Sequence, residues 1–174
     1  MNKLIEMKHW LLLVSMLFPA IVINVLDLTD FWQLFGTLWC YLIYGFWLFS
    51  IGNKIYKTNS DSPFKIFLFN IAFFYPFIYL IAIISYNPFP GPFPIWLIPF
   101  HLLLMFFVFY LIFFVSKNLV NFEKKHGIGS GNIFSTFCAF WFFPIGIFFV
   151  QPRVNQIESL NLKGSVNADN QSTM

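Results

Sequence analysis

Few side chains of this sequence could carry out acid–base or metal chemistry, and those few stand in isolated pairs. Glu6 and His9 are three residues apart, and so are Glu123 and His126. Carboxylate-bridged metal sites use this spacing, but they also need carboxylates that project from neighbouring helices. The remaining carboxylates of the chain are not placed to supply them. We therefore interpret both pairs as surface charges, and we expect no metal and no other cofactor.

Two further features resemble parts of catalytic or nucleotide-binding sites. Asp27 and Asp30 form the one close carboxylate pair, but Asp30, with Gln33 three positions later, is better explained as a helix N-cap. The glycine-rich run 127–131 lacks the lysine spacing of a P-loop and the strand that precedes a dinucleotide-binding turn. We predict a flexible hinge at this run and expect that the protein is not an enzyme.

His101 is the one acid–base side chain that lies well inside an apolar run. An ionisable group at membrane depth suggests a functional site. Burial of a neutral imidazole nevertheless costs little free energy when it is hydrogen-bonded to a tyrosine or to a carbonyl. We favour this structural interpretation and keep the functional one as the alternative.

Composition explains why ionisable residues are so sparse. Of 174 residues, 59% are hydrophobic and 10% are charged, against about 45–50% and about 25% in soluble domains. Ten basic and seven acidic residues cannot solvate a globule that also contains 27 Phe. The basic residues lie outside the apolar runs or at their ends, where they set membrane orientation. We predict a membrane protein with no nucleic-acid partner.

Five apolar segments approach the length of about 20 residues with which a helix crosses a bilayer. They cover residues 10–26, 31–52, 63–86, 94–116 and 133–150. Backbone polar groups must be satisfied internally in lipid, so each segment should be helical. We predict an all-α integral membrane helix bundle with four transmembrane helices and a fifth segment that spans or re-enters. The expected divisions are a cytoplasmic N-terminus at 1–9, the bundle at 10–150 and a polar C-terminal tail at 151–174.

The distribution of Lys and Arg predicts the orientation. Basic residues precede the first segment, flank the second loop and occupy the fourth loop, Lys117 to Asn132, while the first turn and the proline-rich loop 87–94 have none. The positive-inside rule then places the N-terminus in the cytoplasm. The first segment imitates a secretory signal, but Phe18 stands two residues before the best cleavage candidate, Ala20. We expect an uncleaved, multi-pass protein of the bacterial inner membrane.

The fifth segment, residues 133–150, has two possible courses. Its 18 residues are just enough for a span, but Pro144 and Gly146 interrupt the second half. A span would place Arg153 outside the cell. A re-entrant hairpin that turns at residues 143–146 would return Arg153 to the cytoplasm. We take the span as the expectation and keep the hairpin as its alternative.

Two helical faces carry small and hydroxylated residues. On the second segment the stripe consists of Gln33, Gly36, Thr37, Cys40, Tyr44 and Trp47, and on the third of Tyr75, Tyr79, Ala82 and Tyr86. Such residues allow close helix approach and interhelical hydrogen bonds. They either form packing seams or line a lumen. We favour packing because no charged residue joins either stripe.

The run 140–155, FWFFPIGIFFVQPRVN, resembles a signature. It combines Pro144, Gly146, Gln151, Pro152 and Arg153, and we expect Arg153 to reach towards lipid headgroups. The run resembles the FFPIGIxFxQPRxN-like C-terminal motif of a family of small bacterial polytopic membrane proteins of unknown function. The resemblance implies a bacterial inner-membrane protein and no particular activity.

These features favour a non-catalytic protein that acts through association. It would be an accessory subunit, an assembly factor or an immunity-type protein, whose partners are the lipid bilayer and either a membrane protein or a second copy. The alternative is a small oligomeric channel or transporter component for a neutral solute. In that case Gln33, Thr37, Tyr44 and His101 should face a wet lumen.

Overall fold

The computed structural model describes residues 8–26, 30–56, 63–86, 95–129, 131–143 and 145–156. These residues are almost entirely helical and include no strand, which confirms the all-α prediction. The helices are α1 (His9–Val25), α2 (Asp30–Tyr56), α3 (Pro63–Tyr86), α4 (Ile98–His126) and α5 (Ile133–Trp141), and a 3-10 turn at Ile95–Leu97 leads into α4. Residues 145–156 form a last helical segment, called the C-terminal arm below.

Helix α4 is longer than the sequence analysis predicted. It continues beyond residue 116 to His126, so most of the expected fourth loop is helical. No Gly or Pro interrupts the chain between residues 100 and 126. Gly127 then ends the helix with a φ of 66°, and its N–H donates to the carbonyls of Glu123 and Lys124. This left-handed conformation is one that glycine adopts without steric cost.

Helix α4 is central to the packing. It contacts α2, α3 and α5, while α1 packs on α2. The largest buried side chains are aromatic, and they come from α2, α3, α4 and α5: Trp47, Phe69, Phe73, Phe122 and Phe140. The Phe69 ring lies so close to α2 that a Cβ at Gly52 would be 2.5 Å from it. Glycine at this position therefore lets the two helices approach each other.

The outward faces of the helices are apolar. Side chains more than half exposed include Phe18 on α1, Phe67 and Ile78 on α3, Leu102 on α4 and Phe134 on α5. Among the described residues, two helices are long and apolar enough to cross a membrane, at Pro63–Ile83 and at Ile95–His126, where the second range includes the 3-10 turn. Both are compatible with membrane insertion. That four helices cross the membrane stays a prediction.

The chain reverses direction after α5, so residues 133–150 do not form one continuous helix. The Arg153 Nη1 lies 3.1 Å from the Thr136 hydroxyl, whereas 17 residues of continuous helix would separate them by about 25 Å. Two features of the sequence allow the reversal. Pro144 has no N–H to continue α5, and Gly146 packs so closely on the Ala139 carbonyl that a Cβ would overlap it. The structure has the chain reversal of the hairpin alternative.

The helical part of the chain continues past residue 151, where the polar tail is expected to begin. Residues 151–156 are helical and continue the C-terminal arm. Gln151 and Val154 are buried. The packed part of the chain therefore includes the polar end of the C-terminal motif, because that end contacts α2 and α4.

Candidate functional site

Glu123 and Arg153 form a partly buried ion pair at the end of α4. Glu123 lies on the same helical face as Ile112, Ser116 and Leu119, and the residue is only 4% exposed. The Arg153 Nε is 2.6 Å from Glu123 Oε1, and Nη2 is 2.6 Å from Oε2. This two-pronged geometry gives strong, directional charge-assisted hydrogen bonds. The pair joins the C-terminal arm to α4.

The start of α5 is built around this pair. The Thr136 hydroxyl accepts from Arg153 Nη1 at 3.1 Å and donates to the Asn132 carbonyl at 2.9 Å. The Asn132 side chain caps α5 by accepting from the N–H of Phe134 at 3.0 Å. A Cβ at Gly131 would lie 2.6 Å from Arg153 Nη2. The backbone at Gly131 therefore lies so close to the ion pair that a side chain there would have to displace it.

The structure corrects the predictions for both charged residues. Glu123 is neither at the surface nor paired with His126, because its carboxylate points towards the C-terminal arm. The His126 ring instead stacks on Phe122, with ring centres 4.0 Å apart. Arg153 is not a free cation, because the Glu123 carboxylate accepts two of its N–H groups. Glu6 and the side chain of His9 lie outside the described residues.

Gln151 makes a second polar link from the C-terminal arm. Its Oε1 accepts from Trp47 Nε1 on α2 at 2.8 Å, and its Nε2 donates to Asn155 Oδ1 at 3.1 Å. Gln151 is fully buried. Gly146, Gln151 and Arg153 thus each make a different contact that holds the arm in place. Pro152 is exposed, and Pro144 lies outside the described residues.

Tyr44 satisfies a carbonyl that a proline leaves without its helical partner. The Tyr44 hydroxyl donates to the Phe140 carbonyl at 2.7 Å. In a helix this carbonyl would accept from the N–H of residue 144, and proline has none. The same relation occurs in α1, where Trp39 Nε1 donates to the Ser15 carbonyl at 3.0 Å. That carbonyl lies four residues before Pro19.

The polar stripe of α2 is therefore in contact with other helices. Cys40 donates from its Sγ to the Met16 carbonyl of α1 at 2.8 Å, next to the bond from Trp39. Further along α2, Tyr44 and Trp47 contact the hairpin of α5 and the arm. Gly36 is buried. The side chains of Gln33 and Thr37 lie outside the described ones.

The stripe of α3 meets the beginning of α4. The Tyr79 hydroxyl is 3.2 Å from His101 Nδ1, and the Tyr75 hydroxyl donates to the Phe100 carbonyl at 3.1 Å. Beside them lies an apolar cavity of about 380 Å³, whose lining includes Tyr75, Tyr79, Ala82 and Trp96. Tyr44 contacts the hairpin while His101 contacts Tyr79, so these two belong to separate clusters. The Tyr86 side chain lies outside the described ones.

The sequence analysis missed the cluster of Glu123, Arg153, Thr136 and Gly131. One signal for Glu123 was available: no helix-breaking residue separates it from the apolar run, and it continues the face of Ile112, Ser116 and Leu119. No sequence signal pairs it with Arg153. The described residues contain no group of three or more His, Cys, Asp or Glu that could hold a metal ion.

Comparison with known proteins adds no relative to this picture. No protein-family model matches the chain, and no curated protein or solved structure shows significant similarity to it. The resemblance of the C-terminal motif therefore stays a prediction. What the chain does has to be inferred from its own geometry.

Proposed function

We propose that the protein is a non-catalytic protein of the bacterial inner membrane that acts by associating with another membrane protein or with itself. The observation that carries this proposal is the internal use of polar side chains. The side chains of Cys40, Tyr44 and Trp47 donate hydrogen bonds to neighbouring helical segments. Glu123 forms an ion pair with Arg153. The outward faces of the described helices are apolar and need lipid or protein around them.

The charge distribution supports the membrane orientation of this proposal. Lys8 directly precedes α1, Lys65 lies in the first turn of α3, and Lys54 lies in the last turn of α2. Lys124 and Lys125 lie in the last turn of α4. Because the helices alternate in direction, these residues share one end of the bundle. The positive-inside rule assigns that end to the cytoplasm.

A cluster of exposed rings on α4 and α5 supports association. Phe109 and Trp141 stack with ring centres 4.7 Å apart and planes 8° apart, and Phe137 stacks on Trp141. Phe109 and Trp141 are each 40% exposed. Aromatic side chains that are already ordered lose little freedom on binding, and tryptophan is enriched among residues that dominate interfaces. We expect a partner to contact this ring cluster.

The test is to isolate the tagged protein from native membranes in a mild detergent and measure the mass of its complex. We expect a stoichiometric partner or a homo-oligomer, which Trp141→Ala weakens. Phe67→Ala, at an exposed ring on α3 outside the cluster, is the matched control. A monomer without any partner would contradict the proposal. A homo-oligomer that conducts a neutral solute in liposomes would favour the channel alternative, with a path between copies.

A further inference from the structure

A groove of about 570 Å³ lies between α5 and the C-terminal arm, beside the ion pair. Ser135 and Arg153 line its polar end. Phe142, Ile145 and Phe149 line it towards the turn of the hairpin, and all three are more than half exposed. The groove is therefore amphipathic along its length. Its polar end lies at the same end of the bundle as Lys124 and Lys125.

Arg153 keeps hydrogen-bonding capacity towards this groove. Glu123 and Thr136 take one N–H from each guanidinium nitrogen, so each terminal nitrogen has a second N–H. No described residue accepts from these two. The Arg153 side chain is 26% exposed, and Ser135 is an exposed hydroxyl in the first turn of α5. An acceptor that bridges these donors would need several oxygens and a negative charge.

We propose that this groove binds one anionic phospholipid, with its phosphate at Arg153 and Ser135 and an acyl chain along Phe142, Ile145 and Phe149. The inference rests on the proposed membrane location. The arm from residue 145 to Arg153 rises about 12 Å, so the apolar part of the groove extends from headgroup depth into the hydrocarbon. A lipid of the cytoplasmic leaflet has this order of polar and apolar parts.

Charge at this end of the bundle selects an anionic lipid over a zwitterionic one. Lys54, Lys65, Lys117, Lys124 and Lys125 are at the same end, and Glu123 is the one described carboxylate there, already paired with Arg153. The charge of the described residues at this end is thus positive. Basic residues near a membrane surface attract anionic headgroups. Ion pairing also holds the guanidinium in place before the lipid arrives, which lowers the entropic cost of binding.

The test is native mass spectrometry of the full chain released from detergent and titrated with phosphatidylglycerol or phosphatidylcholine of identical acyl chains. We expect one bound phosphatidylglycerol, with an affinity about tenfold above that for phosphatidylcholine. Inorganic phosphate, offered alone, should not be retained because it lacks the acyl chain. Equal retention of both lipids, or retention of free phosphate, would overturn the proposal.

Two variants of Ser135 locate the site without touching the ion pair. Ser135→Trp should fill the polar end and lower the affinity for phosphatidylglycerol more than about tenfold, and Ser135→Ala should lower it about threefold. Asn121→Trp, on the exposed face of α4 outside the groove, is the control and should bind like the wild type. If the Ser135→Trp variant has a lowered melting temperature, the lipid affinity of the Ser135→Ala variant is the test. Unchanged binding in the folded variants would place the lipid elsewhere.

Failure of this inference is distinguishable from failure of the proposed function. A chain that resists carbonate extraction from membranes and keeps its partner, yet shows no lipid preference, contradicts the lipid site alone. A chain that carbonate removes from membranes contradicts the membrane location, and the lipid site with it.

Discussion

Glu123 and Arg153 illustrate how two charges are kept inside an apolar bundle. Removing charges from water is costly, and their attraction offsets this cost only when the geometry is good and the remaining polar atoms are satisfied. Here two contacts of 2.6 Å join the groups, and Thr136 binds the third guanidinium nitrogen. Loss of Arg153 would leave the Glu123 charge buried and unpaired, and loss of Glu123 would leave the partly exposed Arg153 without a counter-charge.

We expect Glu123→Gln to lower the free energy of unfolding by about 1–3 kcal/mol, because the partly exposed Arg153 then loses its counter-charge and its charge-assisted hydrogen bonds. Lys124→Gln, at the exposed neighbouring position, should change it by less than about 0.5 kcal/mol. Equilibrium unfolding in detergent micelles measures both. Equal effects of the two substitutions would mean that the ion pair does not hold the arm.

Gly131 and Gly129 provide a matched comparison at the same loop. A Cβ at Gly131 would lie 2.6 Å from Arg153 Nη2 and 2.8 Å from Glu123 Oε2, whereas at Gly129 the nearest atom is 4.0 Å away. Gly131→Ala should therefore destabilise the protein by about 1–3 kcal/mol through displacement of the pair. Gly129→Ala should be close to neutral. Thermal melting of both variants tests this, and a larger loss for Gly129→Ala would refute it.

At the scale of elements, two prolines each leave a backbone carbonyl without its helical hydrogen bond, and a side chain of another helix supplies the donor. Pro19 leaves the Ser15 carbonyl without a helical donor, and Trp39 of α2 supplies one. Pro144 does the same to the Phe140 carbonyl, and Tyr44 of α2 supplies the donor. Helix α2 therefore fastens both interrupted segments. The polar residues of α2 are needed as hydrogen-bond donors, since an unsatisfied carbonyl in an apolar surrounding is costly.

A double-mutant cycle tests the link between Pro19 and Trp39. Trp39→Phe should cost about 1 kcal/mol in the wild type because the Ser15 carbonyl loses its donor. In a Pro19→Ala background the new N–H can bond to that carbonyl within α1, so the same substitution should cost about 0.5–1 kcal/mol less. Unfolding free energies of the four proteins give the coupling. If the effects of the two substitutions add within about 0.3 kcal/mol, Pro19 and Trp39 are not coupled.

At the scale of the whole molecule, the hairpin decides on which side the chain continues. Arg153 lies beside Glu123 at the end of α4, so the arm returns to the basic end of the bundle. A continuous span would have carried Arg153 to the opposite end. In the proposed orientation, the start of α1 and the end of the C-terminal arm at residue 156 therefore lie on the cytoplasmic side.

We expect a green fluorescent protein fused after Met174 to fluoresce, and an alkaline phosphatase fused there to be inactive, because each enters its active state on only one side of the membrane. Fusions at residue 90, in the predicted outer loop, should give the reverse result. An active phosphatase after Met174 would restore the span and contradict the hairpin in the membrane.

Local features of the sequence determined the helices and where they break. Long apolar runs form helices because each backbone bond closes within a few residues, and α3 begins at Pro63 as the proline in its first turn predicts. The sequence also placed the small and hydroxylated residues of α2 on one face. For the same reason, the helical extent of α4 was readable from the absence of breakers, although our prediction ended it at residue 116.

Only the tertiary structure decided which of these elements meet. Glu123 and Arg153 are 30 residues apart, and Trp47 and Gln151 are 104 apart, so no local periodicity relates them. Pro144 and Gly146 permit either a bent span or a reversal. The polar contacts of the C-terminal arm stabilise the reversal, because the buried Glu123 carboxylate needs a partner and Arg153 reaches it only when the chain folds back.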